Sequence, residues 1–145
     1  MQIIKNALKV IFLSILHAVC LFIVTFPMFR PYQIASWFHI SEQSLEHLYF
    51  AIVIIGALLY FFVVVKLTSS LFKGSLLVLL SALLWFPFWL LLTYYSTWIP
   101  NNNPNDGDNY GAAFFLLLLL FVYPIFIGFS CAIGMSLDHH QNRDS

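Results

Sequence analysis

The chain has 145 residues, 61% of them hydrophobic and only 8% charged, and its formal net charge is zero. A soluble domain carries about a quarter charged residues, so this chain has too little polar surface to cover itself in water. The neutral balance excludes the basic field that holds nucleic acid, and the few charges leave four apolar runs, each long enough to cross a ~30 Å hydrocarbon core as a helix.

The first spanning helix is predicted over about residues 7–29. Lys5 and Lys9 ahead of an apolar run could open a signal peptide. The run is too long for a signal h-region, no A-x-A-like site follows, and Val19 before Cys20 is too large for lipoprotein cleavage. A retained helix is therefore expected. Arg30 and Pro31 end it, because proline biases the preceding residue away from helix. Residues 32–40 read as a loop at headgroup depth, carrying Tyr32, Trp37 and Phe38.

Ser41 is a good N-cap, and Glu42 places an acid in the first turn that follows. The second spanning helix is predicted over about 45–65, stopping near Lys66. The short 67–74 connection makes it an antiparallel hairpin with the third, over about 75–97. Trp98-Ile99-Pro100 closes the third helix, and the Asn/Asp/Pro/Gly-rich segment 101–109 is a turn. The fourth helix covers about 110–137, before a polar tail. The expected fold is all-α: one membrane domain over 1–145, a four-transmembrane-helix bundle without internal repeat.

Lys and Arg placement sets the orientation. With four crossings, Lys5, Lys9, Lys66, Lys73 and Arg143 share one side and Arg30 stands alone on the other. The positive-inside rule then puts both termini in the cytoplasm. Tyr94, Tyr95, Trp98 and Tyr110 fall at the outer boundary, as an aromatic belt. The short chain without an N-x-[ST] acceptor or sorting signal points to a bacterial inner membrane.

His17 is the one formal acid or base well inside the hydrocarbon, and such residues are functional candidates because burying them is costly. Ser14, Ala18, Leu21 and Thr25 flank it at helical spacing, giving a small, polar stripe that another helix can approach closely. Trp85 and Trp89 lie four apart at mid-depth on one helix face, around Pro87, and Tyr123-Pro124 falls at similar depth. His17, Trp85, Trp89 and Tyr123 are thus a candidate midplane layer whose polar tips need partners, since lipid offers none. The packed reading of this layer is a core bonded to itself; the sharper one is a small cavity or a surface for another membrane helix. Gly128, Ala132 and Ser136 recur at steps of four, as do Ser130 and Gly134, and form a candidate helix-packing face.

Other clusters carry less. Cys20 and Cys131 are isolated and read as buried small hydrophobes. Asp138-His139-His140 reads as a polar tail, because adjacent histidines at a helix end do not share one ion easily. An EF-hand register with Gly107 sixth would put Pro104 third and Ala113 twelfth, which fails. Glu42, Glu46 and His47 are the sole interfacial group resembling a catalytic one, and read as acids at a helix start beside headgroups. No metal or other cofactor is expected.

Comparison with small four-helix classes lowers the enzyme and pump readings. Small multidrug transporters rely on a membrane Glu in the first helix, where this chain has His17. Disulfide-forming quinone oxidoreductases need cysteine pairs at the outer face, and neither outer loop here has one. Membrane glutathione-dependent enzymes of similar size use Arg and Glu near helix ends, where this chain has Arg30 alone, Arg143 lying further out in the tail. The favoured expectation is a non-enzymatic membrane protein acting through helix contacts, such as an accessory subunit or an immunity or exclusion protein. Its partners would be the lipid bilayer and another membrane protein or a further copy of itself. The alternatives are a transporter or channel subunit with a midplane site, and a lipid-modifying enzyme.

Overall fold

A computed structural model of the chain describes residues 2–72, 75–100, 103, 106 and 110–141, without the side chains at 42, 110–112 and 138–141. Lys73, Arg143, the side chains of Glu42, Tyr110, Asp138, His139 and His140, and most of the 102–108 loop lie outside the described residues. The elements are α1 (Gln2–Phe29), α2 (Pro31–Phe38), α3 (Glu42–Phe72), a 3-10 segment (Leu76–Leu80) that runs into α4 (Ser81–Ser96), and α5 (Tyr110–Gln141). Four helical segments are long and apolar enough to cross a membrane, Gln2–Phe29, Gln43–Phe72, Leu76–Ser96 and Ala113–Leu137. The chain is an all-α integral membrane protein built as a four-helix bundle.

The 16 residues of α4 rise only about 24 Å as α-helix, short of the hydrocarbon thickness. The five-residue 3-10 lead-in adds about 10 Å, because its rise per residue is larger. Ser75 starts that segment by accepting from the Leu77 amide at 3.4 Å. Helix assignment continues through Pro27, Pro87 and Pro124.

The segment 32–40, expected as a loop, is helical over most of its length. Proline suits the first helical position, where its missing N–H is not needed, and Pro31 occupies it. The Asp106 carboxylate then takes the next two free donors, the amides of Tyr32 at 2.9 Å and Gln33 at 3.1 Å. His39 ends α2 in the left-handed region at φ 54°. Nothing local in the sequence announces a cap 74 residues away. Ser41 does cap α3, accepting from the Ser44 amide at 3.2 Å.

The chain runs up and down, yet its consecutive helices are not its closest neighbours. The most extensive packing joins α1 to α4 and α3 to α5. Each pair is parallel. His17 meets Ser81 and Thr25 meets Trp89 along α1 and α4, while Tyr60 meets Tyr123 and Thr68 meets Cys131 along α3 and α5. The core between them includes Leu13, Ala18, Leu21, Val64, Val78 and Ile127. α3 is exposed along most of its length, with Phe50, Ile54, Ile55, Leu58, Leu59 and Phe62 facing outward. In a bilayer such a surface costs little, since lipid tails are as apolar as leucine.

Candidate functional site

The buried stripe of α1 is the floor of the site. Ser14, His17, Ala18, Leu21 and Thr25 are all buried, with Val10 and Leu13 extending the stripe. Two of its polar groups are satisfied within the helix itself. Ser14 donates to the Val10 carbonyl at 2.8 Å and Thr25 to that of Leu21 at 3.0 Å.

His17 cannot be satisfied this way, and all three other spanning helices supply its partners. Its Nδ1 is hydrogen-bonded to the Tyr60 hydroxyl of α3. Its Nε2 lies 3.2 Å from Ser81 Oγ at the start of α4. Its backbone carbonyl accepts from the Tyr123 hydroxyl of α5 at 2.6 Å. The two tyrosine oxygens are 3.1 Å apart, and their rings stack at 6.3 Å.

Counting hydrogens gives a consistent donor order for the cluster. Neutral imidazole, Ser81, Tyr60 and Tyr123 bring four polar hydrogens to five close contacts. Ser81 commits its hydrogen to the Val78 carbonyl at 2.7 Å. With that hydrogen committed, its oxygen is placed to accept from His17 Nε2–H. Tyr123 commits its hydrogen to the His17 carbonyl, and with Nε2–H as the donor on the other side Tyr60 donates to Nδ1. The pair left without a hydrogen is Tyr60 with Tyr123, whose 3.1 Å is long for O–H···O. Both ring nitrogens of His17 are thus occupied, and the Nε2–H imidazole is the tautomer this donor order requires.

The tryptophans complete the layer. Trp85 Nε1 donates to the Ala82 carbonyl at 2.9 Å, and Trp89 Nε1 to Thr25 Oγ1 at 3.3 Å. Trp85 stands edge-on to Tyr123 at 5.1 Å and to Trp89 at 6.4 Å. His17, Trp85, Trp89 and Tyr123 therefore lie in one continuous cluster. The ring tips in it point at acceptors of this same chain.

The candidate packing face on α5 does not stay together. Gly134 is buried against α3, where an added Cβ would lie 2.8 Å from both Thr68 Cβ and the Val65 carbonyl oxygen. Ser130 is buried on the same side and donates to the Phe126 carbonyl. Gly128 instead has nothing within 4 Å of its would-be Cβ, and Ala132 and Ser136 are exposed. The single face read from sequence is two registers, one inside the bundle and one on its surface. Cys131 is buried and accepts from Thr68 at 3.7 Å, while Cys20 is half-buried. Glu46 and His47 are exposed at the start of α3.

Sequence reasoning missed Tyr60, Ser81 and a tie between the connection after α1 and the one after α4. Tyr60 is the sole hydrogen-bonding side chain between Phe50 and Val65, and that was the available signal. That tie lies at one end of the bundle. Arg30 donates to the Ser96 carbonyl at 3.0 Å and the Ile99 carbonyl at 2.8 Å, where a cation suits a helix C-terminus. Gln33 donates to the Pro100 carbonyl at 2.7 Å. In comparison with known proteins, no protein family, no curated relative and no solved structure matches this chain.

Proposed function

We propose that this is a non-enzymatic, multi-pass protein of a bacterial inner membrane that works through contacts of its helices with another membrane protein, as an accessory subunit or an immunity or exclusion protein does. One observation carries the reading. The polar groups of the midplane layer are occupied by one another, while α3 and the Gly128, Ala132 and Ser136 register of α5 face outward. Among the described residues, the polar side chains of this layer are turned inward and bonded within the chain. The outward faces described on α3 and α5 are largely apolar and include Gly56 and Gly128, with open space over them. Small residues let a partner backbone come close, where van der Waals packing and weak hydrogen bonds drive association in lipid.

A solute-carrying role has less support, because both ring nitrogens of His17 are taken by Tyr60 and Ser81. The test is site-specific photo-crosslinking in native membranes, with the probe at Ile55 or Leu59 of α3 or at Ala132 of α5. The expected result is a discrete protein adduct at one face, lost when Gly128 is replaced by Leu. Probes that capture lipid alone at every position would remove the reading.

A further inference from the structure

Two unlike halves make up α2. Its first turn is fastened to the connection between α4 and α5. Asp106 accepts from the amides of Tyr32 and Gln33, the Gln33 side chain donates to the Pro100 carbonyl, and Arg30, just ahead of the helix, donates to the carbonyls of Ser96 and Ile99. Gln33, Ile34 and Ala35 are buried. The last turn stands clear of the bundle. Trp37 is 52% exposed and Phe38 69%. The amides of His39 and Ile40 then bond back to the carbonyls of Ser36 at 3.3 Å and Ala35 at 3.1 Å, which turns the chain toward α3. Residues 31–41 include no Lys, Arg, Asp or Glu.

The helices on either side set the height of this connection. The Tyr49 hydroxyl of α3 donates to the Val24 carbonyl of α1 at 2.8 Å. Phe29 lies five residues beyond Val24 and Glu42 seven before Tyr49. The chain therefore leaves α1 about 8 Å past that bond and enters α3 about 10 Å past it. The two levels nearly coincide, and the Arg30 and Gln33 bonds bring the end of α4 there too. Exposed rings gather at this level. Tyr94, Tyr95 and Trp98 stand edge-on to one another at 5.6–6.3 Å, and Leu48 and Phe50 of α3 continue the exposed surface toward the hydrocarbon. We propose that α2 lies along the membrane surface at this end of the bundle, with Trp37 and Phe38 seated among the headgroups and glycerol esters of the phospholipids. Aromatic rings without neighbouring charges favour that layer over water, and helices with an exposed apolar side settle in it. The occupant is lipid, because the two rings sit where the surface of the spanning helices passes from hydrocarbon to headgroups. Without Lys or Arg, α2 is held by its rings and not by attraction to anionic lipid. The seat is independent of whether a partner covers α3 or α5.

The experiment reads tryptophan fluorescence of the full chain in vesicles of phosphatidylcholine, with and without phosphatidylglycerol. Subtracting the signal of Trp37→Phe from that of the native chain isolates Trp37, since Trp85, Trp89 and Trp98 remain in both. Lipids brominated near the headgroup end of the acyl chain should quench the Trp37 signal several-fold more than lipids brominated near the chain terminus. Acrylamide in the water should quench it little, and both lipid mixtures should behave alike. As a second measurement, a benzophenone side chain in place of Phe38 should join to phospholipid on illumination of the same vesicles. Strong quenching by acrylamide and none by either brominated lipid would put the tip in water and overturn the proposal. A Trp37 signal untouched by every quencher, with no lipid adduct at position 38, would mean that the chain itself covers the tip, and would overturn it equally. Shallow quenching that appears only with the anionic lipid would overturn the uncharged seat.

Discussion

A histidine in hydrocarbon stays neutral without strain when one ring nitrogen gives and the other receives. His17 has a partner at each nitrogen, and the expected order has Ser81 receiving and Tyr60 giving. Histidine-labelled protein in bilayers, examined by 15N solid-state NMR, should show His17 protonated at Nε2 and bare at Nδ1, with His17→Asn identifying its signals. Protonation at Nδ1 would reverse the donor order throughout the cluster. Tyr60→Phe removes the donor to Nδ1 at almost constant volume. Hydrogen bonds between membrane helices average about 0.6 kcal/mol and reach about 1.7. The loss is expected at the upper part of that range, because His17 is fully buried. Unfolding in mixed micelles measures it. His17, Trp85, Trp89 and Tyr123 were legible because polar tips at mid-depth must turn inward. Tyr60 was not, since a tyrosine in an apolar run is placed only by the rotation of its helix.

Helix packing turns on which glycine register faces in. Gly134→Ala would set a methyl 2.8 Å from the Val65 carbonyl oxygen and the Thr68 Cβ, so α3 and α5 must separate. Overpacking of this kind costs about 1–3 kcal/mol. Gly128→Ala meets nothing within 4 Å and should leave folding unchanged or slightly improved. Thermal unfolding of both variants in the same detergent checks the contrast. Equal effects would mean that the packing register is misassigned. The sequence pattern showed small residues at steps of four but not which series touched a neighbour. Both series have the same spacing, and they differ only in angle around the helix axis. α2 was illegible for another reason. Its N-terminal donors are satisfied by Asp106, far along the chain, so no local window contains both halves of the cap.

At the scale of the molecule, charge and geometry converge on one arrangement of ends. Lys9 of α1 bonds Leu71 near the end of α3, so the basic N-terminal turns and the Lys66 region share one end of the bundle. Arg30 and Asp106 share the other. The positive-inside rule gives the expectation that the lysine-rich end is cytoplasmic. Reporter fusions after Ser69 and Ser145 should signal inward, and one after Asn105 outward. The opposite signal at any of the three would overturn the orientation, and with it the assignment of the tied end as the outer one.

The sequence alone determined the solvent, the number of spanning helices and the residues that could not face lipid. Those follow from composition and from the price of burying a polar group, which hold wherever the helices end up. Tertiary structure decided who pairs with whom. The short 67–74 connection predicts a hairpin of the second and third spanning helices, yet the most extensive packing puts α1 with α4 and α3 with α5. That choice depends on how the small and polar stripes of four helices fit together at once. It is a property of surfaces in contact, and no single helix carries it.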